Sequence, residues 1–123
     1  MDRVDILAWT ARHERAVFVD ATPSCIGIVR PGYDPVSVPL SSVLPIYLAE
    51  YVAALVAIFL MSDADPFTVY TDNIGVYFNL HKGRCPRAWL PIMLHLFHTR
   101  QFSVRYIPSN CNPADAPSRA TWW

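Results

Sequence analysis

Charge is scarce in this sequence, and neither sign dominates: ten Lys and Arg balance ten Asp and Glu across 123 residues. A module that holds nucleic acid by charge alone needs an excess of cations, because phosphate contacts supply its affinity. The balance argues against such a module and leaves room for an enzyme whose substrate is held by a neighbouring domain. Cysteine is also sparse. Cys25, Cys85 and Cys111 are widely and unevenly spaced and form no Cys-x-x-Cys pair, which argues against a structural zinc site. Their odd number argues against a disulfide framework and for a reducing compartment. No secretory signal opens the sequence, and its two ends are expected to be cut points in a longer polypeptide. The longest apolar run, after Glu50, falls short of the roughly 20 residues a membrane span needs, so no membrane association is expected. Disorder is excluded in turn. Apolar residues make up 53% of the chain and charged ones 16%, enough to bury a core in one domain.

Residues 1–15 are mixed in character and read as a linker or lead-in segment, with the folded domain expected over 16–123. Val17-Phe18-Val19 and Ile26-Gly27-Ile28-Val29 are runs of strand-forming residues on either side of turn chemistry, Thr22-Pro23-Ser24-Cys25. Residues 36–40 alternate apolar and polar and predict a third strand, which Pro39 places at an edge. Three short strands in succession predict an antiparallel meander. Pro45 opens a helix over 46–61 that is apolar on every side except at Glu50. Ala53, Ala54 and Ala57 share the face of Glu50 by their three- and four-residue spacing, and small residues let that face approach a neighbour closely. Residues 67–71 predict a fourth strand ending in Asp72. Asn73 is placed to cap a helix over 74–82, with Gly83 as its stop. A further helix over 90–100 and a fifth strand over 102–107 follow. The alternation implies an α/β fold, a mixed five-stranded sheet flanked by helices.

Six of the ten acids, Asp2, Asp5, Glu14, Asp34, Asp63 and Asp65, sit in polar or turn-like sequence. The other four do not. Asp20 and Asp72 end apolar strands, Glu50 interrupts an apolar helix, and Asp115 follows the last strand. Sites in such sheets form beyond the carboxyl ends of parallel strands. Four carboxylates cannot crowd together as bare anions. Hard divalent cations resolve the repulsion, and two of them form the apparatus of in-line phosphoryl displacement. Two ions need a shared ligand, so Asp20 is expected within bridging distance of Glu50 and Asp72. Simpler roles compete. Asp20 closes a turn through its own side chain, and Asn112-Pro113-Ala114-Asp115 reads as an N-cap, a first-turn proline and an acid at the positive end of a helix dipole.

Asp20, Glu50, Asp72 and Asp115, in this order on these elements, resemble the ribonuclease H family, and more narrowly the ribonuclease H domain of hepadnavirus (hepatitis B-like) polymerases. The stretches that carry the likeness are Val19-Asp20-Ala21-Thr22-Pro23-Ser24, Leu44-Pro45-Ile46-Tyr47-Leu48-Ala49-Glu50, Thr71-Asp72-Asn73, and Tyr106-Ile107-Pro108-Ser109 with Asn112-Pro113-Ala114-Asp115-Ala116-Pro117-Ser118-Arg119. The resemblance implies that the four acids are catalytic and bind two Mg²⁺ or Mn²⁺ ions. It also implies a ribonuclease H-like fold and an endonuclease that hydrolyses the RNA strand of an RNA–DNA hybrid during reverse transcription. The partner would be an upstream polymerase domain of the same polypeptide, and the location a viral nucleocapsid in the host cytoplasm. Many family members place a His in the loop before the final carboxylate. No His lies between Ser103 and Asp115 here, and His81, His95 and His98 fall on predicted helices.

Thr22, Ser24, Asn73 and Arg119 flank these positions and are candidates for contact with the hybrid. Turn formation and capping explain the first three equally well, and Arg119 suits pairing with a carboxylate or a phosphate. Lys82, Arg84 and Arg87 form a small basic cluster that reads as a solvated connection. Two other classes compete with the nuclease. A catalytically inactive connection or binding module on the same fold would have lost its carboxylates, and this chain keeps four. A transposase or integrase core places its Glu late, whereas Glu50 is early.

Overall fold

The computed structural model describes residues 15–61, 66–84, 87–99 and 101–119; residues 1–14 of the expected lead-in over 1–15, together with Asp63, Asp65 and Cys85, lie outside the described residues. Strands β1 (Ala16–Thr22), β2 (Cys25–Val29) and β3 (Val36–Pro39) form the antiparallel meander. Helix α1 (Ile46–Leu60) crosses over to β4 (Phe67–Thr71). Helices α2 (Ile74–His81) and α3 (Leu90–Thr99) then lead to β5 (Phe102–Tyr106), and a short α4 (Asp115–Ser118) closes the described chain. The strand order is β3-β2-β1-β4-β5, with β4 parallel to both β1 and β5. Edge strand β3 ends at Pro39, where a missing N–H removes no ladder bond.

Side chains alternate across β1, as strand geometry requires. Val17, Val19 and Ala21 face the layer built by α1, α2 and α3, joining Ala53, Ala54, Ala57, Ile58, Val76, Met93 and Leu96 in one core. Phe18 belongs to a second, smaller cluster with Tyr70, Ile107 and Ala114. There the Phe18 and Tyr70 rings stack with centroids 4.9 Å apart. Ala53, Ala54 and Ala57 are wholly buried, so α1 lies close against β1 and β2 along the face that carries Glu50. No described helix is long and apolar enough to cross a membrane.

Two backbone bonds, Leu40 N–H to the Ser24 carbonyl and Leu44 N–H to the Pro23 carbonyl, both 2.9 Å, tie the segment before α1 to the β1–β2 turn. At the far end of α2, Gly83 takes a left-handed φ of 66°, a conformation glycine adopts without strain. Its N–H meets the Leu80 carbonyl at 3.2 Å and ends the helix as expected.

Candidate active site

The ladder between β1 and β4 stops at Val19 and Thr71, while the ladder between β1 and β2 runs on to Thr22 and Cys25. The sheet therefore opens a notch on one side of β1, and the carboxylates collect in it. Asp20 is inside β1, paired with Gly27 of β2, and not at a strand end as its position after Val17-Phe18-Val19 suggested. The strand continues because β2 still pairs with it after β4 has turned away. Asp72 is the first residue past β4, and Glu50 reaches the notch from α1. One carboxylate oxygen from each of Asp20, Glu50 and Asp72 lies within 4.8 Å of the other two. The bridging distance expected for Asp20 is met.

Burial makes this arrangement costly without a counter-charge. Asp20 is 6% exposed and Glu50 4%. Loss of solvent pushes the Glu50 carboxyl from 4.5 up to about 9, assisted by the Asp20 charge, by hydrogen bonding with Asp20 and by Asp72, against a hydrogen bond from the Ala21 backbone. Asp72 rises from 3.8 to about 6, first through desolvation and then through Asp20 and the more distant Asp115, while a hydrogen bond from Asn112 holds it down. Among the described residues Glu50 Oε2 is buried with no hydrogen-bond partner. Such an orphaned acceptor calls for a ligand. An all-oxygen set of crowded carboxylates suits a hard divalent cation, so these residues fit the metal that the arrangement implies.

The segment after β5 braces the notch. Asn112 is fully buried, and its side-chain amide donates to the Val19 carbonyl at 2.8 Å and to Asp72 Oδ2 at 3.1 Å. Its Oδ1 accepts the Ala114 N–H at 3.0 Å, an Asx turn two residues long. Asn112 is thus not the N-cap expected from Asn-Pro-Ala-Asp: α4 starts three residues later, capped by Ala114 without a side-chain bond. Its Oδ1 is instead taken by the Ala114 N–H ahead of the helix, while the amide protons go to β1 and Asp72. The buried Ser118 hydroxyl lies 3.1 Å from Asp20 Oδ2 and 2.7 Å from the Asp115 carbonyl.

Gly27 makes this docking possible. A Cβ there would stand 2.5 Å from Ser118 N and 2.6 Å from the Ala114 carbonyl oxygen, so only glycine lets the segment seat against β2 opposite Asp20. Thr22 and Ser37 hold the seat, their hydroxyls 3.2 Å from the Ser118 carbonyl and 2.6 Å from the Pro117 carbonyl.

The other candidates fall as follows. Asp115 is half-buried at the start of α4, outside the close trio, and its Oδ1 pairs with Arg119 Nε at 3.1 Å. Arg119 is exposed. Thr22 serves the α4 seat, Ser24 is exposed in the β1–β2 turn, and Asn73 caps α2 by accepting the Val76 N–H at 2.9 Å. His81 is engaged at the α2–β5 contact, its Nε2 3.0 Å from the Val104 carbonyl. Two residues that shape the site, Gly27 and Ser118, were not singled out from the sequence, nor was the bracing role of Asn112. Gly27 had a usable signal, a glycine inside an apolar strand, which often marks a close backbone approach. Ser118, and the bracing role of Asn112, had none.

Comparison with known proteins gives a consistent result. The family described as DNA polymerase (viral) C-terminal domain matches residues 5–122. Protein P of hepatitis B virus genotype D subtype ayw (isolate Australia/AustKW/1991) is 37% identical over 103 residues, 84% of this chain; the chain spans 12% of that protein's length. The crystal structure of RNase H1 from the halophilic archaeon Halobacterium salinarum NRC-1 superposes with a TM-score of 0.71 at 19% identity, covering 83% of this chain and 92% of that one. LC11-RNase H1 in complex with RNA/DNA hybrid superposes with a TM-score of 0.70 at 16% identity, covering 84% and 92%. The mixed five-stranded sheet with its helices is thus the ribonuclease H fold.

Proposed function

The chain belongs to the viral DNA polymerase C-terminal domain family, and from that premise we propose that it is the ribonuclease H domain of a hepadnaviral polymerase, a metal-dependent endonuclease acting on the RNA strand of RNA–DNA hybrids. The observation that carries this reading is the close trio of buried Asp20 and Glu50 with half-buried Asp72, in which Glu50 Oε2 is left without a partner among the described residues. Asp20, Glu50 and Asp72 would hold two Mg²⁺ or Mn²⁺ ions, with Asp115 completing the set from its half-buried edge. The ions would supply charge neutralisation and an activated water for in-line attack on a phosphodiester.

The chain's own groups prepare that chemistry. Burial raises the Glu50 carboxyl to about 9 and that of Asp72 to about 6, so a cation held there would take the place of a proton on Glu50 at neutral pH. Asp20, within reach of both Glu50 and Asp72, is the carboxylate able to serve both sides of the notch. Arg119, paired with Asp115 and exposed, is free to exchange that partner for a phosphate. The hybrid in the LC11-RNase H1 structure supports the same substrate class for this fold. The chain's 12% share of Protein P supports an upstream polymerase region of the same polypeptide as partner.

The test is cleavage of a labelled RNA–DNA hybrid by the wild-type chain and by Asp20→Asn, each in Mg²⁺, Mn²⁺ and EDTA. The expected result is RNA-strand cleavage by the wild type in either metal, none in EDTA, and none by a folded Asp20→Asn. Undiminished cleavage by Asp20→Asn, or cleavage in EDTA, would overturn the assignment.

A further inference from the structure

We propose that Asn112 is a positioning residue for the cation site: its amide locks the Asp72 carboxylate to the end of the β1–β4 ladder and so sets the aperture of the notch. The proposal rests on the cation-binding reading above and adds a residue to it.

Three observations carry it. First, Asp72 has left β4, so the ladder no longer fixes its backbone, and its side chain needs another anchor. Second, the anchor is unambiguous. The Val19 carbonyl on the Nδ2 side can only accept, and the Ala114 N–H on the Oδ1 side can only donate. Flipping the amide would break both of these bonds, so the orientation is determined by its partners. Third, the Val19 carbonyl lies where the β1–β4 pairing ends. Asn112 therefore spans the two strands at the point where they part. A single fully buried side chain touches β1, which carries Asp20, the residue after β4, which is Asp72, and the turn that leads into Asp115.

Outer partners that orient a metal-binding carboxylate commonly change metal affinity when removed. Asn112 bonds one Asp72 oxygen, Oδ2, and leaves Oδ1 to other partners. Without Asn112, Asp72 is free to rotate, and the trio loses its fixed separation.

The experiment is calorimetric titration of the 123-residue chain with Mn²⁺, comparing wild type, Asn112→Ala and, as a control, Asn73→Ala, with urea unfolding of each. Asn73→Ala removes a cap on the residue next to Asp72 without touching its carboxylate. The expected result is a loss of Mn²⁺ affinity of roughly 10–100-fold in Asn112→Ala, with affinity retained in Asn73→Ala. Should Asn112→Ala fail to unfold cooperatively, the wild type decides. Its Asn112 side-chain amide protons should shift on Mg²⁺ addition by NMR, while those of Asn79, bonded to the Tyr47 hydroxyl, stay in place. Unchanged Mn²⁺ affinity in folded Asn112→Ala, or an Asn112 amide that ignores Mg²⁺ while the wild type binds it, overturns this proposal alone. A wild type that binds neither ion overturns the cation site itself, and this proposal with it.

Discussion

Replacing Glu50 by glutamine should stabilise the metal-free domain, and by an amount that depends on pH. The Glu50 carboxyl titrates near 4.5 in an unfolded chain and at about 9 in the folded one. Between those values the folded state holds a proton that the unfolded state has released. Stability therefore falls as pH rises, at up to about 1.4 kcal/mol per pH unit for one proton. It is fully present below 4.5 and lost progressively toward 9. By pH 7 the accumulated loss is about 3 kcal/mol. The glutamine of Glu50→Gln does not titrate in either state and removes this dependence, while its near-identical shape keeps the packing of α1. Urea unfolding of both proteins in EDTA at half-unit steps from pH 5 to 8 measures the difference directly. Subtracting one curve from the other isolates Glu50 from groups that titrate in both. The two should converge toward pH 4.5 and diverge steadily above it, with the variant the more stable. Parallel curves, or a wild type that gains on the variant as pH rises, would refute the reasoning that Glu50 is held protonated by burial beside Asp20. Adding Mn²⁺ should narrow the gap at pH 7, because a ligand that binds only the folded wild type stabilises it by mass action.

Asp72→Asn should leave the metal-free domain as stable or more stable while abolishing hybrid cleavage, since the Asn oxygen still accepts from Asn112; a large loss of stability by urea unfolding would mean that the Asp72 charge itself is structural. Gly27→Ala should cost about 1–3 kcal/mol by overpacking and weaken Mn²⁺ binding, because its Cβ would press on Ser118 and Ala114; urea unfolding and calorimetry on one sample check both effects. With ten cations against ten anions, the chain should bind hybrid weakly. A longer polypeptide that includes the preceding region should bind more tightly through effective concentration, without any change at the site. Cleavage at low and moderate salt by the two chains tests this, and equal apparent affinity would refute it.

Much of the fold was legible because local chemistry dictated it. The strand runs, the edge proline at Pro39, the Asn73 cap and the Gly83 stop all sit where their neighbours in sequence require them. The carboxylates were legible too, since a charge that interrupts an apolar run must find a reason within the folded structure. Periodicity alone was not able to show how they meet. Asp20 shares its side of β1 with Phe18, while Glu50 comes from the layer against Val17 and Val19 on the opposite side. They touch because β4 leaves the sheet after Thr71 while β2 keeps pairing to Thr22, so the two layers converge through the notch. Where one ladder stops before another is a property of three strands at once. The bracing by Asn112 and Ser118 is likewise a contact across more than 90 positions in sequence, and it depends on the space left by the missing side chain of Gly27. The residue types were therefore set by the sequence, whereas the aperture between them was set by strand pairing and close backbone packing, which no local pattern encodes.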